Sequence, residues 1–339
     1  VNVPVASTQP PSTGAVRGWC PDVADPLVAL DGPLVRITVP GGILSAVDAE
    51  LIAGVADLHG NGVIELTSRA NVQLRGVRGH DPAMAMLVQA GLTSGRPSGD
   101  RSRAVLASPT AGLDANERFD TRPMVTALVT ELAARHDLGP KFSVLVDGGG
   151  AVHCRDRRAT ERRVPADLPS TPCAPPLGVV AARQPGQVWI GAAPLLGRLT
   201  PMVLASIAGI ARRHGDGDVR VTPWRGLVLG GIAVADAERC RRLLAEHDLA
   251  LHADDPRLSV IACAGSGGCA ASLGDVQGDA RRLVARRQSP RGATEQGARP
   301  SLVHLSGCDK RCASRDDRVT TFVADGIGRY RRIDSGATR

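Results

Sequence analysis

Four of the eight cysteines fall in two pairs, "CAGSGGC" (263–269) and "CDKRC" (308–312). Zinc knuckles use short C-x2-C to C-x4-C spacings so that four ligands close a tetrahedron, and the first pair here is wider, C-x5-C. Glycines at 265, 267 and 268 let the backbone curl round something bulky and offer N–H groups to sulfides. Four thiolates from two loops suit a cubane [4Fe–4S] cluster, so Cys263, Cys269, Cys308 and Cys312 are the expected ligands. A zinc site or a set of buried thiols are the alternatives. Cys20, Cys154, Cys173 and Cys240 lack partners at ligand spacing and read as ordinary thiols.

A second candidate is the stretch "TSRANVQLRG" (67–76). Side chains of a strand alternate faces, which sends Ala70, Val72 and Leu74 one way and Arg69, Asn71, Gln73 and Arg75 the other. Two guanidiniums and two amides in register offer forked, planar donors to carboxylates. The competing explanation is a solvated outer face, and a bend at Ala70–Asn71 would separate Arg69 from Arg75. The chain also chooses arginine over lysine almost everywhere: among 41 basic residues only Lys141 and Lys310 are lysines. A compact, mobile ammonium can be desolvated and can donate a proton where a guanidinium cannot. Lys141 and Lys310 are therefore the candidates for stabilising developing negative charge.

Composition narrows the partner. The formal net charge of +7 favours an anion. Seven aromatic residues in 339 are too few for the base-stacking platforms of single-strand binders, so a small polyanion is expected rather than nucleic acid. No apolar run approaches the ~20 residues that span a bilayer, which excludes a membrane anchor of that kind. The first residues lack a basic segment followed by an apolar one. A cytoplasmic location is expected, where cysteines serve as thiols or metal ligands rather than disulfides.

The elements that must position these residues come in duplicate. "GVIELTSRANVQLRGV" (62–77) aligns with "DVRVTPWRGLVLGGI" (218–232), placing Thr67 opposite Thr222 at an offset of 155; "VLASPTAG" (105–112) aligns with "VIACAGSG" (260–267) at the same offset. "KFSVLVDGG" (141–149) matches "SLVHLSGCD" (301–309) at about 160. In the first copy a strand near 33–39 precedes a helix from Ser45 with Asp48 in a capping box and Gly60 at its end. Strands at 62–67 and 71–77 follow, then a helix opened by Asp81-Pro82 and closed by Gly91. The second copy has strand 187–191, helix 201–214 behind Thr200, strands 218–222 and 226–232, and a helix from Asp236 to about 247. This β-α-β-β-α order is that of ferredoxin-like α+β units. The expected domains are half-domain 20–95, module 98–153, Pro/Arg-rich linker 154–185, half-domain 186–250 and cluster module 255–335. Only the second copy holds the metal, because Ser108 stands where Cys263 does and no cysteine pair follows Gly148.

The spacing C-x5-C…C-x3-C after a duplicated half-domain resembles the siroheme-dependent sulfite and nitrite reductase superfamily, over residues 30–330. That resemblance implies a [4Fe–4S] cluster on the four cysteines, with Cys312 in the place that bridges to a siroheme iron, and basic anion-binding residues at Arg69, Arg103 and Lys141. The chain departs from the reductases in three ways. "SGCDKRCAS" lacks Pro-Asn after its third cysteine, Ser143 stands where a second basic residue is usual, and the chain is short. "TPWRGL" (222–227), which contains Arg225, and "VHLSGCDKRC" (303–312) are instead similar to the precorrin-3B synthases, the aerobic cobalamin branch. That similarity implies pseudo-twofold α+β halves, each followed by a reductase-type α/β module. The implied activity is a monooxygenation: hydroxylation and lactone formation on precorrin-3A with molecular oxygen. The implied partners are the substrate and an electron donor, NADH or a reduced ferredoxin-type carrier, with Arg69, Asn71, Gln73, Arg75, Arg103 and Arg225 binding substrate. A mononuclear non-haem iron is a further expectation without assignable ligands, since His59, His153 and His304 read as structural. The alternatives are a siroheme nitrite or sulfite reductase and a non-catalytic iron–sulfur or tetrapyrrole-binding protein.

Overall fold

In the first copy the chain runs β1 (Leu27–Ala29), β2 (Gly32–Ile37), β3 (Ile43–Ser45), α1 (Ala46–Leu58), β4 (Ile64–Leu66), β5 (Val72–Leu74), α2 (His80–Gln89), β6 (Val105–Leu106), α3 (Arg122–Ala133) and β7 (Val144–Leu145). The second copy begins with β8 (Gly178–Ala181), β9 (Gln187–Ala192), β10 (Arg198–Leu199), α4 (Pro201–His214), β11 (Asp218–Val221), β12 (Leu227–Ala233) and α5 (Ala237–Glu246). It ends with β13 (Val260–Ala262), α6 (Val276–Gln288), β14 (Val303–Ser306), β15 (Thr320–Gly326) and β16 (Arg329–Ile333). The computed structural model describes residues 21–135, 138–139, 142–154, 173–289, 301–314, 316 and 319–333. No described helix is long and apolar enough to cross a membrane.

The two half-domains exchange a strand. One sheet has the order β1-β2-β5-β4-β10 and the other β3-β11-β12-β9-β8. The first copy's β3 thus pairs antiparallel with β11 of the second, and β10 of the second copy pairs with β4 of the first. Ile43 plus the repeat offset of 155 is Arg198, so the exchanged strands are each other's counterparts. Helices α1 and α4, which follow them, pack together. Their contact face is rich in alanine, which lets the backbones approach, and the counterparts Ile52 and Ile207 are both fully buried in one core that spans the copies.

Caps and alternation follow simple rules. Ser45 Oγ accepts from the Asp48 amide at 3.0 Å and donates to the Asp48 carboxylate at 2.7 Å, and Thr200 caps α4 through the Val203 amide. Three expectations are corrected. Helix α2 starts at His80 behind Gly79, whose left-handed φ of 66° makes the turn, so Asp81 lies in the first turn and does not cap. The strands around 62–77 are shorter, because residues 67–71 form a turn. The linker ends before 185: Gly178–Ala181 is an edge strand pairing with β9, and 155–172 lies outside the described residues, as does most of the loop 289–300.

The modules behind each half-domain also correspond. Parallel pairs β6–β7 and β13–β14 occupy matching places, and the second copy extends its sheet with β15 and β16.

Because Ile52 and Ile207 fill one core, Ile52→Ala and Ile207→Ala should each cost about 2–5 kcal/mol. Urea unfolding should retain a single transition in both variants. A biphasic curve in which only one phase moves would show that the halves are stabilised separately.

Candidate functional site

A cleft of about 1040 Å³ opens between the copies. Its walls are matched turns. Thr67–Asn71 closes with Thr67 N–H on the Asn71 carbonyl (2.9 Å), Ala70 N–H on the Thr67 carbonyl and Asn71 N–H on Thr67 Oγ1 (3.1 Å). Thr222–Gly226 repeats all three bonds. Both turns need a left-handed residue, Ala70 at φ 54° and its counterpart Arg225 at φ 59°. This is the bend that breaks the alternation of the 67–76 stretch. Arg69 projects from the first turn, Trp224 occupies the corresponding position in the second, and both line the cleft.

Five arginines line the cleft, Arg36, Arg69, Arg101, Arg225 and Arg257, against three aspartates, Asp22, Asp100 and Asp316. Single-turn helices at Gly99–Arg103 and Pro256–Ser259, which lead into β6 and β13, carry Arg101 and Arg257. Arg257 is held by both oxygens of Asp255. Arg36 is held by Gln73 Oε1 from across the sheet, Nε to Oε1 being 2.9 Å. Of the aspartates, Asp22 is pushed above the ordinary carboxylate range, mainly by burial and secondarily by neighbouring Asp100 and Asp25.

The structure separates the expected substrate residues. Arg69, Asn71 and Arg225 line the cleft. Asn71 also braces the fold, its Oδ1 accepting from the Val39 amide at 3.0 Å. Gln73 and Arg75 do not line it, which corrects the expectation of four donors on one face. Gln73 bridges Arg36 to Glu65. Arg75 is 4% exposed and saturated by Asp31, Glu65 and the Gly268 carbonyl. Burial opposes its charge, but the two carboxylates outweigh burial and hold its pKa above the ordinary value. Arg103 is also off the wall: its Nε points to the Thr38 carbonyl at 3.4 Å. Lys310 is solvent-exposed and lies outside the cleft lining. Lys141 and Cys20 lie outside the described residues. The sequence signal for Arg101 and Arg257 was the repeat itself, which sets a basic turn before the matching strands.

The cysteine loops meet beside this cleft. Cys263 N–H donates to the Leu305 carbonyl, Leu273 N–H to the Gly307 carbonyl, and Gly307 N–H to Cys263 Sγ at 3.1 Å. An amide aimed at a thiol sulfur is the contact that stabilises a cluster thiolate. Gly307 admits no side chain, since a Cβ there would lie 1.9 Å from Ser272 Oγ. Cys312 lines the cleft. This donor set and its amide fit a [4Fe–4S] cluster. Among the described residues no three His, Cys, Asp or Glu side chains are grouped round one point. A four-iron cluster does not require that, because each thiolate takes a different iron. The first copy shows the contrast. Ser108 bonds Thr110 (Oγ to Oγ1 3.0 Å), and buried Glu117 accepts from the Gly112 amide while its pKa is raised by burial.

His304, on β14, is fully buried, with Nδ1 3.3 Å from Thr321 Oγ1. Burial, then Arg225 and Arg311, lower its pKa from 6.5 to about 4. The unfolded chain therefore takes up this proton first as pH falls. The stability that neutral His304 contributes is complete above pH 6.5 and is lost as pH falls towards 4. Urea unfolding at pH 7 and pH 5 should differ by up to about 2 kcal/mol from this group. His304→Gln should remove that part of the pH dependence; an unchanged pH dependence would show that another group carries it.

Comparison with known proteins agrees with this architecture. The nitrite/sulfite reductase ferredoxin-like half domain matches residues 31–85 and again 181–247. A precorrin-3B synthase of Sinorhizobium sp is 26% identical over 95% of this chain and 83% of its own. The ferredoxin–nitrite reductase of Synechococcus elongatus is 24% identical over 82% of this chain and 73% of its own. The solved structure of the Mycobacterium tuberculosis NirA protein superimposes with a TM-score of 0.72 at 19% identity, covering 88% of this chain and 73% of that one, and so shares the fold. The chain thus carries the nitrite/sulfite reductase ferredoxin-like half domain twice and shares the fold of the NirA protein.

Proposed function

We propose that the cleft binds a polycarboxylate tetrapyrrole and that the chain oxidises it with molecular oxygen, taking precorrin-3A to precorrin-3B. The observation that carries this reading is the cleft itself: five arginines from both copies face a space that Cys312 also reaches. Precorrins bear carboxylates round a flat rim, and guanidiniums placed round a cavity match that distribution. The name of the Sinorhizobium relative points the same way.

The chain's own residues bind and orient. Arg69 and Arg101 from the first copy and Arg225 from the second hold the rim carboxylates, Arg257 lines the wall already paired with Asp255 and Asp248, and Trp224 offers a broad apolar face to the ring. Arg225 donates to the Ala313 carbonyl, so a residue on the cleft wall also fixes the segment next to Cys312. A [4Fe–4S] cluster on Cys263, Cys269, Cys308 and Cys312 would supply electrons singly to the edge of the cleft. Putting one oxygen atom into the ring and reducing the other to water consumes two electrons and two protons from an external donor, NADH or a reduced ferredoxin-type carrier.

The nitrite reductase relatives favour a second reading, a siroheme enzyme, in which a haem-type ring would sit against Cys312. The visible spectrum of anaerobically purified protein separates the two, since siroheme gives intense bands and a lone cluster a broad brown shoulder. Oxygen-dependent turnover of precorrin-3A then separates an enzyme from a carrier.

Cys263→Ser, Cys269→Ser, Cys308→Ser and Cys312→Ser should each lose the brown chromophore and its iron and sulfide, whereas Cys240→Ser should keep them. Full iron and sulfide in any of the four would remove that residue from the ligand set. Arg69→Gln and Arg101→Gln each remove a charged hydrogen bond worth about 1.5–3 kcal/mol, so tetrapyrrole affinity should fall about 10- to 100-fold in fluorescence titration. Arg103→Gln should leave it unchanged; equal losses in all three would point to bulk charge rather than the cleft wall.

A further inference from the structure

One buried cation stands between the first copy and the cysteine loop of the second. Arg75, the residue after strand β5 ends at Leu74, is 193 positions from Gly268, yet Arg75 Nη2 donates to the Gly268 carbonyl at 3.0 Å. The guanidinium cannot swing away. Asp31 clasps it through Nε (2.7 Å) and Nη2 (2.9 Å), and Glu65 accepts from Nη1 at 3.3 Å. Glu65 is fixed in turn by Arg198 of the exchanged strand β10, Nη2 to Oε1 being 2.6 Å, and by Gln73 Nε2 at 3.1 Å.

The loop end of the contact is equally constrained. The Gly268 carbonyl and the Cys269 amide belong to one peptide plane. Arg75 holds its oxygen, and the Gly265 carbonyl accepts its N–H at 2.9 Å. With both ends tied, the plane has one orientation, and that orientation sets the direction of the Cys269 side chain. Residue 268 must be glycine for the contact to exist, because a Cβ there would lie 2.3 Å from Arg75 Nη2.

We propose that Arg75 is a positioning residue for the cysteine loop: through the Gly268 carbonyl it orients Cys269, and its buried charge raises the reduction potential of the cluster. The proposal rests on the reading of the four cysteines as a cluster site. A cation beside a cluster favours the reduced form, which carries one more negative charge, and hydrogen bonding and nearby charge are the protein's means of setting such potentials. Arg75 therefore acts on electron supply and not on substrate.

The test is dye-mediated redox titration of the full chain, followed by the electron paramagnetic resonance of the reduced cluster, with iron and sulfide assays alongside. Arg75→Gln should lower the midpoint by at least a tenfold change in the reduction equilibrium, about 59 mV for one electron. Gly268→Ala removes no charge but forces the guanidinium and the loop apart, and it should lower the midpoint in the same direction. Asp31→Asn leaves Arg75 less neutralised and should raise it. Affinity for uroporphyrin, used as the tetrapyrrole probe, should stay at the wild-type value in Gly268→Ala. If Arg75→Gln does not fold, Gly268→Ala decides alone. A folded Gly268→Ala chain that no longer loads iron supports the positioning role, whereas a fully loaded one with the wild-type midpoint overturns the proposal. Absence of iron and sulfide from the wild type would instead sink the cluster reading.

Discussion

Two short strands, β3 and β10, hold the plan of the molecule together. Each leaves its own half-domain to complete the sheet of the other, so neither sheet is whole without both copies. The helices that follow them are drawn together by the same exchange, and their alanine-rich faces close into a core shared across the pseudo-twofold axis. The cleft inherits its geometry from this arrangement. The Thr67 and Thr222 turns close with the same three hydrogen bonds, on opposite walls of the same space. A cavity between independently folded domains would change shape with any hinge motion; here the walls share sheets and a core.

Symmetry of backbone leaves the side chains free to diverge. Position by position, the two copies differ where chemistry would be divided: Arg69 against Trp224, Ala70 against Arg225, Ser108 against Cys263. The first copy replaces the thiol loop with a Ser108–Thr110 bond and the buried Glu117 carboxyl. The second extends its sheet by β15 and β16 beneath the cysteine loops. Both halves thus place arginines on the cleft, Arg36, Arg69 and Arg101 from the first and Arg225 and Arg257 from the second, while the cysteine pairs belong to the second half alone.

Much of the fold was legible because duplication makes weak signals repeat. Ser45 and Thr200 mark helix starts, and the alternation of Ile64, Leu66, Val72 and Leu74 marks buried strand faces. The exchange of β3 and β10 was not legible: elements of two or three residues carry no periodicity, and only the partner strand decides whether they pair. In the site, Arg69 and Arg225 were visible as motif residues, but Gln73 and Arg75 were misassigned. Alternation correctly sent them to the face opposite Leu74. It could not say that Asp31, Glu65 and a loop almost two hundred residues away cover that face. Arg36 was missed for the converse reason: it is unremarkable in its own segment, and its pairing with Gln73 across the sheet is tertiary.

Burying Arg75 calls for explanation, because a buried ion pair is often no more stabilising than a well-packed apolar pair of the same volume. Apolar side chains at 75, 31 and 65 would fill the space, but they would not choose which loop sits against it. The guanidinium has directional demands that three partners must meet together, and each belongs to a different segment: the β1–β2 hairpin, strand β4 and the cysteine loop. Removing any one leaves a buried charge incompletely paired, which is costly. The network therefore acts as a register for assembly. In the folded chain the cysteine loop's bond to Arg75 is joined through Glu65 to strand β10, which ties the loop of one copy to the sheets of both.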